Sequence, residues 1–364
     1  MMMSKSAYIH VPFCNSICSY CDFCKMFYKK DWADKYLVAL KEEIKDRYHN
    51  DPLRTIYIGG GTPSCLNNEQ LEYLLKLATH LNISELEEFT IECNLDDINE
   101  DFLSLITKYN VNRLSIGIQS FNPFVLKKLS RFHTFDDAVN KINLCRKYNI
   151  KNINLDLIYA INGETLKEVK EDLKLFLKLK PNHISTYSLI IEDNTMLKIN
   201  NEQPISDEED YDMYEYICKT LRGKGYNHYE ISNFALKGYE SKHNLTYWHN
   251  EEYYGFGLGA ASFIDKVRGE NHRNLTKYLN NDYGNNFTLI GKKTDMDNEI
   301  MLGLRLTNGI NIKVFKEKFN EDIFDVYPVI KDLIKDKDLL KKKDNISINP
   351  DKLYIMNEIL IKII

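Results

Sequence analysis

Residues 8–23 read YIHVPFCNSICSYCDF, a short apolar-alternating run that passes directly into three cysteines. The run has the residue types of a buried strand, and Cys14, Cys18 and Cys21 follow it on one tight loop. Three thiolates held so close can bind three irons of a cubane [4Fe–4S] cluster and leave the fourth iron open to a small ligand. Thiolates also suit zinc, for which Cys24 would supply a fourth ligand. The stretch therefore predicts a metal centre directly after the first strand.

Similar β-type runs recur through the first two-thirds of the chain, and amphipathic helices fall between them. Apolar residues at helical spacing predict one helix over 67–81, and Thr165 with Glu168 and Ser206 with Glu209 predict capping boxes for two later helices. Repeated βα units indicate a parallel sheet with helices outside it. We expect strands near residues 7–11, 55–59, 88–94, 113–119, 152–159 and 183–191, and a candidate seventh near 228–234.

The two faces of these predicted strands differ in polarity. One face carries branched apolar residues, such as Ile56 and Ile58, while the other carries polar or small residues, such as Tyr57 and Gly59. A closed eight-strand barrel packs its lumen with branched apolar side chains, so this pattern does not fit one. We expect the apolar faces to meet the helices and the polar faces to line an open cavity. The predicted fold class is α/β, an incomplete, TIM-like (β/α)6 barrel.

The chain divides into three predicted segments. Residues 1–235 form the partial barrel, and residues 236–290 form a connecting region that is rich in glycine and aromatic residues. Residues 291–364 form a smaller, α-rich C-terminal domain. A short strand at 345–348 between helices gives that domain a winged-helix-like pattern.

Composition narrows the class of protein. The 364 residues carry a net charge of −5, with lysines interspersed among acidic residues, so nucleic-acid binding is not expected. The N-terminal residues lack the apolar run of a signal peptide, and no later segment reaches membrane-spanning length. We therefore expect a soluble, cytoplasmic protein, whose eight cysteines favour metal binding over disulfides.

Several motifs in order make the chain resemble the radical SAM superfamily, and within it the branch of oxygen-independent coproporphyrinogen III oxidases and HemW-type heme chaperones. The resemblance covers essentially the whole chain. Besides the cysteine loop, it rests on IGGGTPS at 58–64, IE at 91–92, LSIGIQS at 114–120, DLIY at 156–159, HNLTYW at 243–248 and LGLR at 302–305.

The resemblance implies a [4Fe–4S] cluster on Cys14, Cys18 and Cys21, with S-adenosylmethionine (SAM) at the open iron. Most of the implied SAM positions fall at predicted carboxyl ends of strands, where barrel proteins place their sites. Taken alone, GGGT is also a common turn, Glu92 could belong to a structural ion pair, and Arg131 could be a surface residue. The implied SAM contacts are Tyr8, Tyr20, Gly60, Gly61, Thr62, Glu92, Gln119, Arg131 and Asp156.

The HNLTYW segment resembles a pattern associated with heme in HemW-type chaperones, which implies heme contacts at His243, Tyr247 and Trp248. An imidazole can ligate heme iron, and aromatic rings offer flat faces to a porphyrin. The alternative is structural: His243 and Asn244 cap the turn, and Trp248 packs at the seam between domains.

Two functions remain open at this point. The cysteine motif begins at residue 14, without the preceding extension of the oxidases, and Phe23 stands where those enzymes have a further cysteine. Together with HNLTYW these features favour a heme chaperone whose partners are heme and an unidentified heme-accepting protein, membrane-associated acceptors included. The alternative is an oxidative decarboxylase of coproporphyrinogen, so whether the chain is an enzyme stays open. We expect a monomer or a weak homodimer.

Overall fold

Seventeen strands and fifteen α-helices form within residues 5–284 and 287–364, the part of the chain that this computed structural model describes. The strands are β1 (Lys5–Val11), β2 (Phe13–Cys14), β3 (Met26–Phe27), β4 (Leu53–Gly60), β5 (Glu88–Asn94), β6 (Arg113–Gln119), β7 (Asn152–Tyr159), β8 (His183–Ser188), β9 (Asn227–Glu230), β10 (Asn233–Ala235), β11 (Tyr253–Phe256), β12 (Ala261–Ile264), β13 (Val267–Glu270), β14 (Thr288–Leu289), β15 (Ile310–Asn311), β16 (Leu339–Lys342) and β17 (Asn345–Ile348). The helices are α1 (Lys30–Arg47), α2 (Asn68–Thr79), α3 (Glu100–Lys108), α4 (Pro123–Lys128), α5 (Phe135–Lys147), α6 (Leu166–Lys178), α7 (Met196–Ile199), α8 (Asp207–Gly223), α9 (Lys242–Trp248), α10 (Leu275–Leu279), α11 (Lys292–Gly303), α12 (Ile312–Phe319), α13 (Ile323–Val326), α14 (Val329–Lys335) and α15 (Met356–Ile361).

Six parallel strands, β1 and β4 to β8, lie side by side in chain order and form the partial barrel. Their sheet continues to β9 at one edge and to β14 at the other, and these two edge strands do not pair with each other. The barrel is therefore open, which confirms the predicted incomplete (β/α)6 architecture.

The strand faces divide as predicted. The branched side chains of Ile58, Ile91 and Leu114 are fully buried in the main hydrophobic core. The alternate residues face the lumen, where the strand register places Tyr57 level with Thr90 and Glu92 level with Ser115. Because side chains alternate along a strand, this register places the branched residues of β4 to β6 against the helices and their polar neighbours in the cavity.

Local capping signals are also confirmed. The helix expected over 67–81 is α2, which begins after a capping box formed by Asn67 and Gln70. Thr165 and Ser206 accept hydrogen bonds from the backbone N–H groups of Glu168 and Glu209 and so open α6 and α8.

Two regions differ from the sequence prediction. The candidate seventh strand at 228–234 is a hairpin of β9 and β10, in which β10 runs antiparallel to β8. The region expected to be a connection contains β11 to β14, and β11 extends the sheet by pairing with β1. These short strands have no clear alternation because they contain glycine. A Cβ on Gly255 would lie 1.8 Å from the Ala261 carbonyl oxygen, so only glycine lets the backbones of β11 and β12 approach each other here.

The C-terminal residues form a second core around side chains such as Ile300, Phe315 and Ile346. Helices α11 to α14 precede the β16–β17 hairpin, which with β15 makes a three-stranded sheet, in agreement with the predicted winged-helix-like domain. The predicted bounds of the three segments stay predictions. Within the described residues, none of the helices combines the length and apolar character that a bilayer crossing requires.

Candidate functional site

The cysteine loop lies at the mouth of the barrel, where the parallel strands end. Cys14 is buried at the end of β2, and Cys18 and Cys21 are half-buried on the following loop. Burial raises the pKa of the Cys14 thiol to about 11; the neighbouring Cys21 and Cys18 raise it further, and the Thr62 hydroxyl, which donates to its sulfur at 3.5 Å, opposes them. The three thiols therefore share one electrostatic environment, as ligands of one cluster would.

Cys24 has different surroundings. Its Cβ lies 3.0 Å from where a Cβ on Gly259 would be, and its carbonyl oxygen accepts a hydrogen bond from His10 Nε2 at 2.7 Å. In residues 5–284 and 287–364, no three His, Cys, Asp or Glu side chains converge on one point as a single metal ion requires. Zinc needs all its ligands within about 2.3 Å of one centre, whereas each thiolate of a cluster binds a different iron. Cys14, Cys18 and Cys21 would supply three soft thiolates, a donor set that suits a cluster with one open iron.

The GGGT loop is pressed against the cysteine loop. The backbone N–H groups of Gly61 and Thr62 donate to the carbonyls of Val11 and Phe13 at 2.8 and 2.7 Å. Gly60 has a φ of +114°, and a Cβ there would lie 2.3 Å from the His10 ring. Only glycine can occupy this position without displacing the histidine, so the loop offers a bare backbone to a ligand at the mouth.

Two carboxyl groups from neighbouring regions of the sheet face the lumen below the mouth. Tyr57 and the Gly60 N–H donate to the Glu92 carboxylate at 2.7 and 3.0 Å, and Asn154 donates to Asp156 at 2.8 Å. Burial raises the pKa of Glu92 to about 7 against those two hydrogen bonds, and burial also raises the pKa of Asp156. Both carboxyls can therefore accept hydrogen bonds from ligand hydroxyl groups when they are ionised.

Arg131 lies inside the mouth and not on the protein surface. Its guanidinium donates to Asn94 Oδ1 at 2.9 Å, to the Gly117 carbonyl at 3.2 Å and to the Tyr20 hydroxyl at 3.4 Å. The Arg131 Nε and the Gln119 Oε1 are buried without a hydrogen-bond partner. Buried polar atoms are normally paired, so this orphaned donor and acceptor fit the carboxylate and amino group of a bound SAM.

Tyr8 lies deeper in the lumen than the other implied SAM contacts. Its hydroxyl is hydrogen-bonded to His10 Nδ1 at 2.9 Å, and its Cα is level with that of Tyr57. The cluster loop, the glycines, Thr62, Gln119 and Arg131 thus meet at the mouth, with the two carboxyls beneath them. As ligand contacts, all these residues remain predictions.

Sequence reasoning gave no site role to the residues that hold the predicted ligand contacts in place. Tyr57 orients Glu92, Asn154 orients Asp156, and Asn94 joins Arg131 to Thr62 through hydrogen bonds of 2.9 and 3.4 Å. Arg113 is buried in the same lumen and lowers the pKa of both carboxyls. Each lies on the polar face of its strand; alternation places Tyr57 and Asn154 there, and the same signal could have identified Asn94 and Arg113 as lumen residues.

The HNLTYW segment forms α9 at the opposite end of the barrel. His243 is 1% exposed, and its Nδ1 and Nε2 are hydrogen-bonded to Thr55 at 2.7 Å and Tyr247 at 2.8 Å. Burial lowers its pKa to about 3. We call this end of the barrel its floor. Since a strand rises by about 3.3 Å per residue, the position of Thr55 on β4 puts the floor roughly 15 Å below the mouth. Heme ligation by His243 stays a prediction and would require one of these bonds to break. The cap of α9 is Ser241, whose side chain accepts from the Asn244 N–H, and neither His243 nor Asn244 has that role.

The other two residues of that assignment also belong to the floor. Tyr247 packs edge to face on Tyr253 with ring centroids 4.6 Å apart. Trp248 is half-buried, and its Nε1 is enclosed without a partner. Their role as heme contacts likewise stays a prediction.

We expect SAM binding to depend on pH, because Glu92 is a predicted SAM contact and burial raises its pKa to about 7. Because the carboxyl titrates near pH 7 in the unliganded protein, raising the pH from 6 to 8 ionises it, and SAM affinity should rise by roughly fivefold to tenfold. Equilibrium dialysis of SAM across this interval measures the effect. The control is Glu92→Gln, which keeps the size of the side chain but cannot ionise, so any pH dependence that remains in it comes from SAM or from other groups. If this variant shows the wild-type pH profile, Glu92 is not responsible for the effect.

Two protein families match this chain, one in the barrel and one in the C-terminal domain. The family model of the radical SAM superfamily matches residues 8–176, and that of the HemN C-terminal domain matches residues 290–350. A curated heme chaperone HemW from Lactococcus lactis subsp. lactis is 40% identical over 98% of this chain and 97% of its own length. The HemW of Bacillus subtilis is 39% identical over 90% and 91% of the two chains. The solved structure of coproporphyrinogen III oxidase (HemN) from Escherichia coli has a TM-score of 0.85 and 21% identity, covering 99% of this chain and 90% of that chain, and so shares the fold.

Proposed function

This chain belongs to the HemW family of the radical SAM superfamily, and we propose that it is a heme chaperone that binds heme and transfers it to an acceptor protein. The observation that carries the proposal is the 40% identity to a heme chaperone HemW over nearly the full length of both chains. The resemblance to HemN rests on 21% identity and speaks for a shared fold. Oxidative decarboxylation of coproporphyrinogen is the alternative function.

The proposed cofactors are a [4Fe–4S] cluster and SAM, and the residues at the mouth suit both. Cys14, Cys18 and Cys21 would ligate the cluster, and Arg131 with Gln119 would hold the methionyl end of SAM. When bound, the cluster and SAM would supply one-electron chemistry. Glu92 and Asp156 would accept hydrogen bonds from the ribose hydroxyls, and Tyr57 and Asn154 keep the two carboxylates oriented.

Two assays on one anaerobic preparation test the function. Titration with heme should give a saturable Soret change at about one heme per chain, and incubation with coproporphyrinogen, SAM and a reductant should give no decarboxylation above background. Heme-loaded protein should then pass its heme to apomyoglobin, a surrogate acceptor with high affinity for heme.

The matched control is the Cys18→Ala variant, which shows whether heme binding requires the cluster. Robust SAM-dependent decarboxylation by the wild type would establish the oxidase instead. Heme binding no tighter than that of an unrelated protein under the same conditions would refute the chaperone function.

A further inference from the structure

A groove on the outside of the barrel runs between α6 and α8. It has a volume of about 800 Å³, and residues of both helices and of the segments beside β9 and β10 line it. Helix α6 follows the carboxyl end of β7, and Pro181 leads from it into β8, so the groove extends from the side of the mouth towards the floor. None of the residues that line it belongs to the predicted cluster, SAM or heme contacts, so it is separate from the candidate site.

The base of the groove is apolar. Six residues share this base, each buried or half-buried: Leu173, Leu177, Pro181, Tyr216, Tyr226 and Leu236. The Tyr226 hydroxyl donates to the Pro181 carbonyl at 2.6 Å, so it is already paired within the protein. The base therefore offers mainly apolar contact, and an open recess of this size and character is typical of a binding site.

Lysines surround the apolar base. Four of them follow one another on α6 at intervals of three and four residues, which puts them on one face of the helix over about 17 Å of its length. One more lysine follows the end of each helix. All six are exposed: Lys167, Lys170, Lys174, Lys178, Lys180 and Lys224. Lys170 Nζ lies 4.9 Å from the Tyr216 ring centroid, so this side chain of α6 reaches across to α8.

Acidic residues on α6 neutralise little of this charge. Glu171 lines the groove and lies 4.0 Å from Lys167 Nζ, and no other of the six lysines has a carboxylate of a described residue within that distance. Glu168 lies outside the groove, where it accepts a hydrogen bond from Asn122 at 3.0 Å. Asp172 is buried and accepts from the backbone of the loop after β6.

The acidic residues of α8 precede the part of that helix that lines the groove. The groove takes Tyr216, Thr220 and Lys224 from α8, and the carboxylates all come earlier: Asp207, Glu208, Glu209, Asp210, Asp212 and Glu215. Asp212 is one turn before Tyr216, beyond the end of the groove nearer the mouth, and Glu215 is turned about 100° away from Tyr216. Six lysines and one glutamate give the groove a net charge of +5, on a chain whose net charge is −5.

The shape of the groove favours a rod over a flat surface. Its lysines are exposed while its base is buried or half-buried, so a flat bilayer would meet the ammonium groups without reaching the apolar base. A helix about 10 Å across can lie between α6 and α8 and place a stripe of apolar residues on that base. Acidic residues beside the stripe would then face the lysines.

We propose that this groove binds a short amphipathic helix of a partner protein, apolar on one face and acidic along its edges. The row of lysines on α6 matches about three turns of such a helix. Opposite charges would speed the encounter and fix the orientation of the helix, and burial of its apolar stripe would hold it. The inference goes beyond the proposed function, since it does not require heme. Because the groove lies outside the barrel, a partner bound there would leave the mouth uncovered.

Two labelled synthetic peptides test the chemistry of the groove on the full chain by fluorescence anisotropy. The first has leucines in one helical stripe flanked by glutamates, and it should bind saturably at about one peptide per chain. The second has the same composition with its leucines spread around the helix, and it should bind about tenfold more weakly, because fewer leucines can reach the base. Added salt should weaken binding of the first peptide, since exposed charges are screened.

Two pairs of charge reversals test the location. Lys170→Glu combined with Lys174→Glu should weaken binding of the striped peptide about tenfold or more, since two attractions become repulsions. The matched control is Lys331→Glu with Lys335→Glu on α14, which has the same spacing and exposure and forms no ion pair with a described residue. This control should bind the peptide as the wild type does, and both pairs should keep the iron content of the wild type, because all four side chains are exposed.

Equal affinity for the two peptides, or equal losses in the two variant pairs, would overturn the proposal. Two other results would replace the proposed occupant. A wild type that ignores the striped peptide but binds phosphatidylserine vesicles through the α6 lysines would make the groove a membrane contact. Self-association that is seen in sedimentation and lost in the α6 variant would place a second copy of the chain there.

Discussion

Cys14→Ala, Cys18→Ala and Cys21→Ala should each abolish the [4Fe–4S] cluster in reconstituted protein. Each thiolate would hold a different iron, so the remaining two cannot replace the missing ligand. Iron and acid-labile sulfide per chain, measured with the visible absorption of the cluster, report the loss. SAM should at the same time cease to perturb the EPR signal of reduced samples, because no open iron remains to bind it.

Cys24→Ala is the matched control for these three changes. It removes a thiol from the same loop, but this thiol lies against Gly259. Burial raises the pKa of Cys24, and the positive charge of Arg273 opposes that rise. Most of the iron and sulfide should remain in this variant. Complete loss of the cluster from Cys24→Ala would show that the site uses four cysteines.

Gly60→Ala should remove SAM binding and destabilise the fold by about 3 kcal/mol. A φ of +114° costs an L-residue on the order of 1–2 kcal/mol, and displacing the packed His10 ring costs on the order of 1–3 kcal/mol more. A shifted loop would also move Thr62 away from Cys14 and the Gly60 N–H away from Glu92. Chemical unfolding and equilibrium dialysis of SAM measure the two effects separately.

Gly223→Ala provides the comparison, because it makes the same chemical change in a permissive place. Gly223 is the last residue of α8, and nothing lies within 4 Å of where its Cβ would be. Alanine is the better helix former by up to about 1 kcal/mol, so stability should be unchanged or slightly higher. If Gly60→Ala binds SAM as well as Gly223→Ala does, the GGGT backbone does not contact the ligand.

Regular strands and helices of the barrel were predictable because their signals are local. Alternation of apolar and polar residues distinguishes the two faces of a strand within five to seven residues, as at 55–59 and 113–119. Capping residues such as Thr165 and Ser206 act on N–H groups three residues ahead. The cysteine motif is local too, since its three cysteines lie within a stretch of eight residues.

Other features depend on contacts between distant parts of the chain. The strands after residue 252 were missed because β11 is defined by its pairing with β1, and short strands with glycine have no clear periodicity of their own. Likewise, Arg131 could be separated from a surface arginine only by its hydrogen bonds to Asn94, Gly117 and Tyr20.

By itself, the sequence determined the open (β/α)6 architecture, the cluster loop and the polar lumen, because alternation and motif spacing are properties of short segments. Only the tertiary structure decided that HNLTYW lies at the floor of the barrel, where Thr55 and Glu88 hold His243 through its ring and its backbone N–H. The physical reason is that folding brings together residues more than a hundred positions apart in the sequence. A local sequence pattern does not indicate at which end of the barrel strands such residues will lie.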